Sequence, residues 1–221
     1  MSKEKLDFPE HVDMGEFISR EAHDLRSPFN RILGFTKMIL KGMDGPLTDM
    51  QREDLDTVFA NSNHALMLIN NLIDMARLSR GEKPFSPQAC QAQALIQQAA
   101  ANWQKTGSTK EVAFETRISP PELSLPADES LLRQAIEEFV YYLVEYSESP
   151  VTVTLSAEER DGRAEFSLSS RGTKNRAAAA CDMTMWAYVG RKIVELHGGE
   201  LLESEGDESS ASIRFAVPAA R

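Results

Sequence analysis

The sequence predicts an α+β chain in which an antiparallel helical hairpin, closed into a four-helix bundle by dimerisation, precedes an α/β sandwich domain. Three observations predict it. Apolar or small residues recur at alternating spacings of four and three through Ile18, Ala22, Leu25, Phe29, Ile32, Thr36 and Ile39, and again, at a similar rhythm, through Leu55, Val58, Ser62, Ala65, Ile69, Leu72 and Ala76. That rhythm marks helices with a coiled-coil-like seam. Glycine and proline punctuate the chain at Gly42, Gly45 and Pro46, and at Gly81, Pro84 and Pro87, where helices stop. Beyond Pro87 the pattern changes to short alternating helices and strands, the mark of a separate layered domain.

The first helix runs from Phe17 to about Lys41, and Thr48-Asp49-Met50-Gln51 reads as a capping box that opens a second, ending at Arg80-Gly81. Each helix bears an apolar stripe too wide for its single partner. Two copies packed about a two-fold axis close the bundle, so a homodimer is expected through residues 15–80; the alternative is that the C-terminal half covers the stripe within one chain. The divisions are then a tail over 1–14, the hairpin over 15–82 and the second domain over 83–221. In that domain a helix is expected from Ala94 to Trp103, extended chain from Val112 to Ile118 and over Leu123–Leu125, and a strong helix from Glu129 to Tyr146. Strands follow at Val151–Ser156 and Ala164–Ser169, a helix at Met183–His197, and strands at Glu200–Ser204 and Ser212–Val217. The acidic run Glu203–Glu208 is expected to be a solvated turn, and His197 a cation favouring the negative end of its helix.

Composition narrows the function. Of 221 residues, 42% are apolar and 26% charged, which is globular. No apolar run reaches the length of a membrane helix, and the start MSKEKLDFPE lacks the apolar core of a secretory signal, so a cytoplasmic protein is expected. A net charge of -10 argues against nucleic acid as a partner. Cys90 and Cys181 stand outside any CxxC spacing, and His11, His23, His64 and His197 form no paired-ligand spacing, so no metal site is expected.

One histidine stands out. His23 is rotated about one hundred degrees from the seam positions, so its imidazole faces water, and Ser27 and Asn30 share its side of the helix. Neutral imidazole is a competent nucleophile at cytosolic pH, and a carboxylate such as Asp24 can hold one ring nitrogen protonated while the other presents its lone pair. Pro28 inside the helix deprives the Asp24 carbonyl of its usual partner and is expected to kink the helix one turn past His23.

The run from Phe17 through His23-Asp24-Leu25-Arg26-Ser27-Pro28-Phe29-Asn30, continuing into Ile32-Leu33-Gly34-Phe35, resembles the phosphoacceptor box of sensor histidine kinases. Asn70-Asn71-Leu72-Ile73-Asp74-Met75-Ala76-Arg77-Leu78 is similar to the end of that family's second helix. The resemblance implies that His23 accepts a phosphoryl group, that Asp24 orients or deprotonates the ring, and that Ser27 stands where a Thr or Asn assists a phosphatase reaction. It also implies docking of response-regulator receiver domains on Arg26, Asn30, Arg31, Leu33, Gly34 and Phe35, and a Bergerat or GHKL type of second domain.

In that second domain the residues depart from the family. Glu138 and Tyr142 stand where it has two asparagines, one of them a magnesium ligand. Tyr cannot supply an amide oxygen, and Glu brings negative charge towards phosphates. Ser170-Arg171-Gly172-Thr173 replaces the glycine-flanked acid that recognises adenine, and Thr184-Met185-Trp186-Ala187 replaces a glycine box, filling space that phosphates need. About ten residues from Thr173 to Met183 leave little room for a nucleotide lid. ATP and magnesium are therefore expected not to bind this chain, and autokinase activity to be absent. The leading expectation is a histidine phosphotransfer protein moving phosphoryl groups between receiver aspartates, with magnesium supplied by the receiver. The alternatives are a pseudokinase-like scaffold that binds a receiver or a sensor kinase, and a sensor kinase with a divergent ATP site.

Overall fold

The computed structural model describes residues 13–43, 45–103, 110–173 and 183–220; His11, the Ala177–Ala180 run, Cys181 and most of the expected lid segment lie outside them. Helix α1 (Met14–Leu40) begins where the Asp13 carboxylate accepts from the Glu16 N–H at 2.9 Å, a turn before Phe17. It runs through Pro28 without interruption. Helix α2 (Asp49–Ser79) opens on the expected capping box, Thr48 Oγ1 accepting from the Gln51 N–H and the Gln51 side chain from the Thr48 N–H. Between the helices Gly42 and Gly45 take φ of +76° and +114°, which a residue with a Cβ resists.

The seam divides into two faces. Ala22 and Thr36 on α1 and Ser62, Ile69 and Ala76 on α2 are buried, with Phe29 half-buried among them. The alternate members Leu25, Ile32, Val58 and Leu72 remain 40–48% exposed. The C-terminal domain does not cover them, because it packs on another side of α2, against Met67, Leu68, Met75 and Leu78. Among the described residues no helix is long and apolar enough to cross a membrane.

The rest of the chain forms β1 (Gln88–Gln91), α3 (Ala92–Trp103), β2 (Val112–Ser119), β3 (Ser124–Ala127), α4 (Glu129–Tyr146), β4 (Val151–Arg160), β5 (Arg163–Arg171), α5 (Met183–Leu196), β6 (Glu200–Gly206) and β7 (Ser210–Pro218). The main sheet has the order β2-β4-β5-β7-β6, parallel only between β2 and β4, and β1 and β3 make a separate antiparallel ribbon. Along β4 and β5 every second residue is buried, so one sheet face meets the helices. Between the layers lie Leu132, Ile136, Phe139, Leu155, Phe166, Ile193 and Phe215. At Gly190 a Cβ would lie 2.7 Å from Phe139 Cε1, so the α4–α5 contact requires glycine.

Two expectations change. Strand β1 is an addition, since a four-residue QACQ segment has no period of its own and is ordered by its pairing with β3. The acidic run is mostly strand: β6 continues to Gly206, Glu203 accepts from Arg214 at 2.8 Å, and the turn is closed by the Asp207 carboxylate, which accepts from the Ser209 and Ser210 N–H groups. His197 follows the last residue of α5, as expected, and also latches that helix end to α4. Its Nε2 accepts from the Asp128 N–H at 3.1 Å, which leaves the proton on Nδ1, 2.8 Å from the Ile193 carbonyl.

Candidate functional site

His23 projects from the middle of α1 with its side chain 76% exposed, and its Nδ1 lies 3.5 Å from Asp24 Oδ1. Ser27, Asn30, Arg31 and Gly34 follow at helical spacing and are all exposed, with Phe35, at 64% exposure, beside them. A Cβ at Gly34 would meet nothing within 4 Å, so this stripe is open to an approaching surface. Two members of the expected docking set do not belong to it. Arg26 and Leu33 are half-buried, because their spacing from Ala22, Phe29 and Thr36 turns them towards α2. The Arg26 Nε–H donates to Asn70 Oδ1 at 2.7 Å, which commits the guanidinium to holding the hairpin together.

The second group of residues meets α2 from the other side. Glu138 on α4 is 5% exposed and accepts from Asn71 Nδ2 at 2.7 Å. Gln134 Nε2 donates to Asp74 Oδ2 at 2.6 Å, with Glu138 Oε1 at 3.5 Å, and Lys83 Nζ lies 2.5 Å from Asp74 Oδ1. Burial pushes the Glu138 carboxyl up to about 7; the Asn71 and Gln134 amides pull it down in part, and Asp74 and Glu137 push it further up. Tyr142 stacks on Tyr146 at 6.5 Å and packs on Trp186. Trp186, 6% exposed, stacks on Tyr141 at 6.1 Å with His64 at its edge, and its Nε1–H has no acceptor among the described residues. Ser170 is buried with its Oγ 3.1 Å from Ser147 Oγ. The Gly172 N–H donates to the Ser209 carbonyl at 3.0 Å, and a Cβ there would lie 3.1 Å from the Glu148 carbonyl oxygen. The Thr184 side chain lies outside the described residues.

Measured against a magnesium nucleotide, these side chains fit poorly. Glu138 and Tyr142 offer no amide oxygen, Trp186 fills volume, and Ser170 is turned to a neighbouring hydroxyl. A cleft of about 700 Å³ does lie between α2 and α4, with Asn61, Asn70, Asn71, Gln134, Glu138 and Tyr141 on its walls. Among the described residues no cluster of three or more His, Cys, Asp or Glu could hold a metal ion. Asn71, Asp74, Lys83 and Gln134 were not legible as a unit, although amides and a carboxylate inside the apolar run Leu66–Leu78 were a signal that this side of α2 meets polar groups.

An exposed histidine with an adjacent acid on a helical hairpin, joined to a sandwich of this topology, is similar to the arrangement of histidine kinase-like two-component proteins. Residues 13–81 match the family model of the His Kinase A (phospho-acceptor) domain. Histidine protein kinase DivJ of Caulobacter vibrioides is 26% identical over 91% of this chain and 37% of its own length. Full-length ShkA, solved in complex with AMPPNP, has a similar fold at a TM-score of 0.68 and 24% identity, over 94% of this chain and 46% of that one. Histidine kinase ThkA, solved in complex with response regulator protein TrrA, matches at a TM-score of 0.55 and 20% identity, over 94% and 62% of the two chains. The phospho-acceptor model and the DivJ match support a two-component histidine kinase family, and the solved structures support the fold. The chain spans well under half the length of the curated relatives it matches.

Proposed function

We propose that this chain is a cytoplasmic histidine phosphotransfer protein of a phosphorelay, working as a homodimer and binding no ATP. The observation that carries the reading is a contrast: His23 is open and furnished with an acid, while Glu138 and Trp186, at positions that resemble a nucleotide site, are committed to contacts with α2. In the forward step His23 Nε2 attacks the phosphorus of an aspartyl phosphate on a receiver domain. The N–P bond forms as the P–O bond breaks, and the aspartate leaves as its carboxylate with the bonding electrons. Asp24, beside Nδ1, keeps the proton on that nitrogen and offsets the positive charge that develops on the ring. The reverse reaction on a second receiver restores the imidazole. Ser27, one turn along, is placed to hydrogen-bond the transferred group. The receivers supply magnesium and a lysine, and dock along Asn30, Arg31, Gly34 and Phe35; that ThkA was solved with a response regulator supports such docking on this fold.

A second reading, a sensor kinase with a divergent ATP site, is favoured by the kinase names of the relatives and by the AMPPNP complex of ShkA. One experiment separates the two. Incubation with phosphorus-labelled receiver is expected to label the wild-type chain and not His23→Gln, while labelled Mg-ATP alone leaves both unlabelled. Labelling by ATP alone would establish the kinase, and equal receiver binding with no label on either protein would establish a scaffold.

A further inference from the structure

We propose that Asn71, Asp74, Lys83, Gln134 and Glu138 form a proton-operated clasp: a proton on Glu138 keeps the C-terminal domain seated on α2, and its loss lets the domain swing off. This goes beyond phosphotransfer and holds whether or not His23 is ever phosphorylated. The seat has an apolar part, Met67 and Leu68 against Trp186, which is backed by Tyr141 and Tyr142. Its polar part is buried, with Asn71 at 2%, Glu138 at 5% and Asp74 at 9% exposure.

Charge counting shows why a proton matters. Lys83 balances Asp74, so the cluster is neutral when Glu138 is protonated and carries an uncompensated negative charge when it is not. The surrounding charges are committed elsewhere. On α4, Glu137 pairs with Arg133 at 2.9 Å, and across the cleft Lys110 pairs with Glu145 at 3.1 Å. Arg26, on α1, is held through Asn70, and His64, on α2, lies at the edge of Trp186, the residue that α5 brings to the seat. Among the described residues no cation therefore reaches Glu138. An ionised carboxylate there is relieved by fuller contact with water than the cleft allows at 5% exposure, and parting the domain from α2 supplies it. Asn71 can serve both forms, since an amide presents N–H to a carboxylate or its oxygen to a carboxylic acid. The location of the carboxyl at about 7 puts the transition inside the cytosolic pH range.

Release is measured on the full chain by native-state thiol labelling of Leu68→Cys in a Cys90→Ala/Cys181→Ala background, each rate being divided by that of a free thiol at the same pH. With a closed-state carboxyl at about 7 and an ordinary one near 4.5 when open, the opening constant is expected to rise about 30-fold between about pH 5.5 and about pH 8.5. Glu138→Gln is expected to remove the rise, and His64→Gln to leave it unchanged. Asp74→Asn, which takes away a like charge, is expected to shrink it. A flat wild-type profile, or the same rise in Glu138→Gln, overturns the clasp. Should Glu138→Gln fail to fold by circular dichroism, an undiminished rise in Asp74→Asn overturns it instead.

Discussion

Replacing Leu25 and Ile32 together by glutamate is expected to split the proposed dimer. In a single chain Leu25, Ile32, Val58 and Leu72 keep 48%, 41%, 44% and 40% of their surface exposed. Fully burying such a side chain is worth about 1.5–3 kcal/mol, so covering the exposed fraction contributes about 1 kcal/mol each. Two copies of the four residues then supply roughly 8 kcal/mol, the gross scale of a micromolar association before the costs of ordering. Removing Leu25 and Ile32 from both copies forfeits roughly half, about 4 kcal/mol or a thousandfold in dissociation constant, and the buried glutamates add repulsion. The variant remains folded, because the buried face formed by Ala22, Thr36, Ile69 and Ala76 is untouched. Sedimentation equilibrium over a range of concentrations reads the result. A wild-type chain that stays monomeric, or a variant that dimerises as tightly as wild type, refutes the assignment of this stripe.

Stability should depend on pH through Glu138. Its folded-state carboxyl lies at about 7 against an ordinary 4.5, so the stability it contributes is whole below pH 4.5 and lost as pH rises through about 7, a change of about 3 kcal/mol. Glu138→Gln stays neutral throughout, and urea titration should find it more stable than wild type by up to about 3 kcal/mol at about pH 8 but hardly so at about pH 4.5; an equal gain at both would refute the cause. Gly190→Ala places a methyl 2.7 Å from the fully buried Phe139 ring and should cost about 1–3 kcal/mol in thermal or urea unfolding. A loss within about 0.5 kcal/mol would show that α5 can shift freely. Thr48→Ala removes the hydroxyl half of the capping box and should cost about 1 kcal/mol, whereas no loss would mean that the first turn of α2 frays at no penalty.

The hairpin was legible because its period is long and uninterrupted, and because Gly42, Gly45 and Thr48 mark the turn in the chain's own chemistry. The facing of His23 and Ser27 followed from the same period. Arg26 and Leu33 were misplaced because the family box was read as one continuous surface, while the spacing that exposes Asn30 and Gly34 turns these two residues inward. Strand β1 was illegible for a different reason: Gln88 faces Ala127 and Gln91 faces Ser124, so its order is bought by residues far along the chain. Glu138 belongs with β1. The sequence showed a carboxylate in place of an amide, but not that Asn71, 67 residues earlier, would meet it.

That meeting changes what the departures in the second domain imply. Read singly, Glu138, Tyr142 and Trp186 are three losses from a nucleotide pocket. In the folded chain two of them also meet α2, Glu138 through Asn71 and Trp186 through Met67 and Leu68, while Tyr142 packs on Trp186. A glycine at 186 would leave α2 without its apolar seat, and an asparagine at 138 would leave no group there whose charge could be switched. The residues that depart from the family's nucleotide motif thus serve an intramolecular contact, which makes their joint occurrence more intelligible than three unrelated departures.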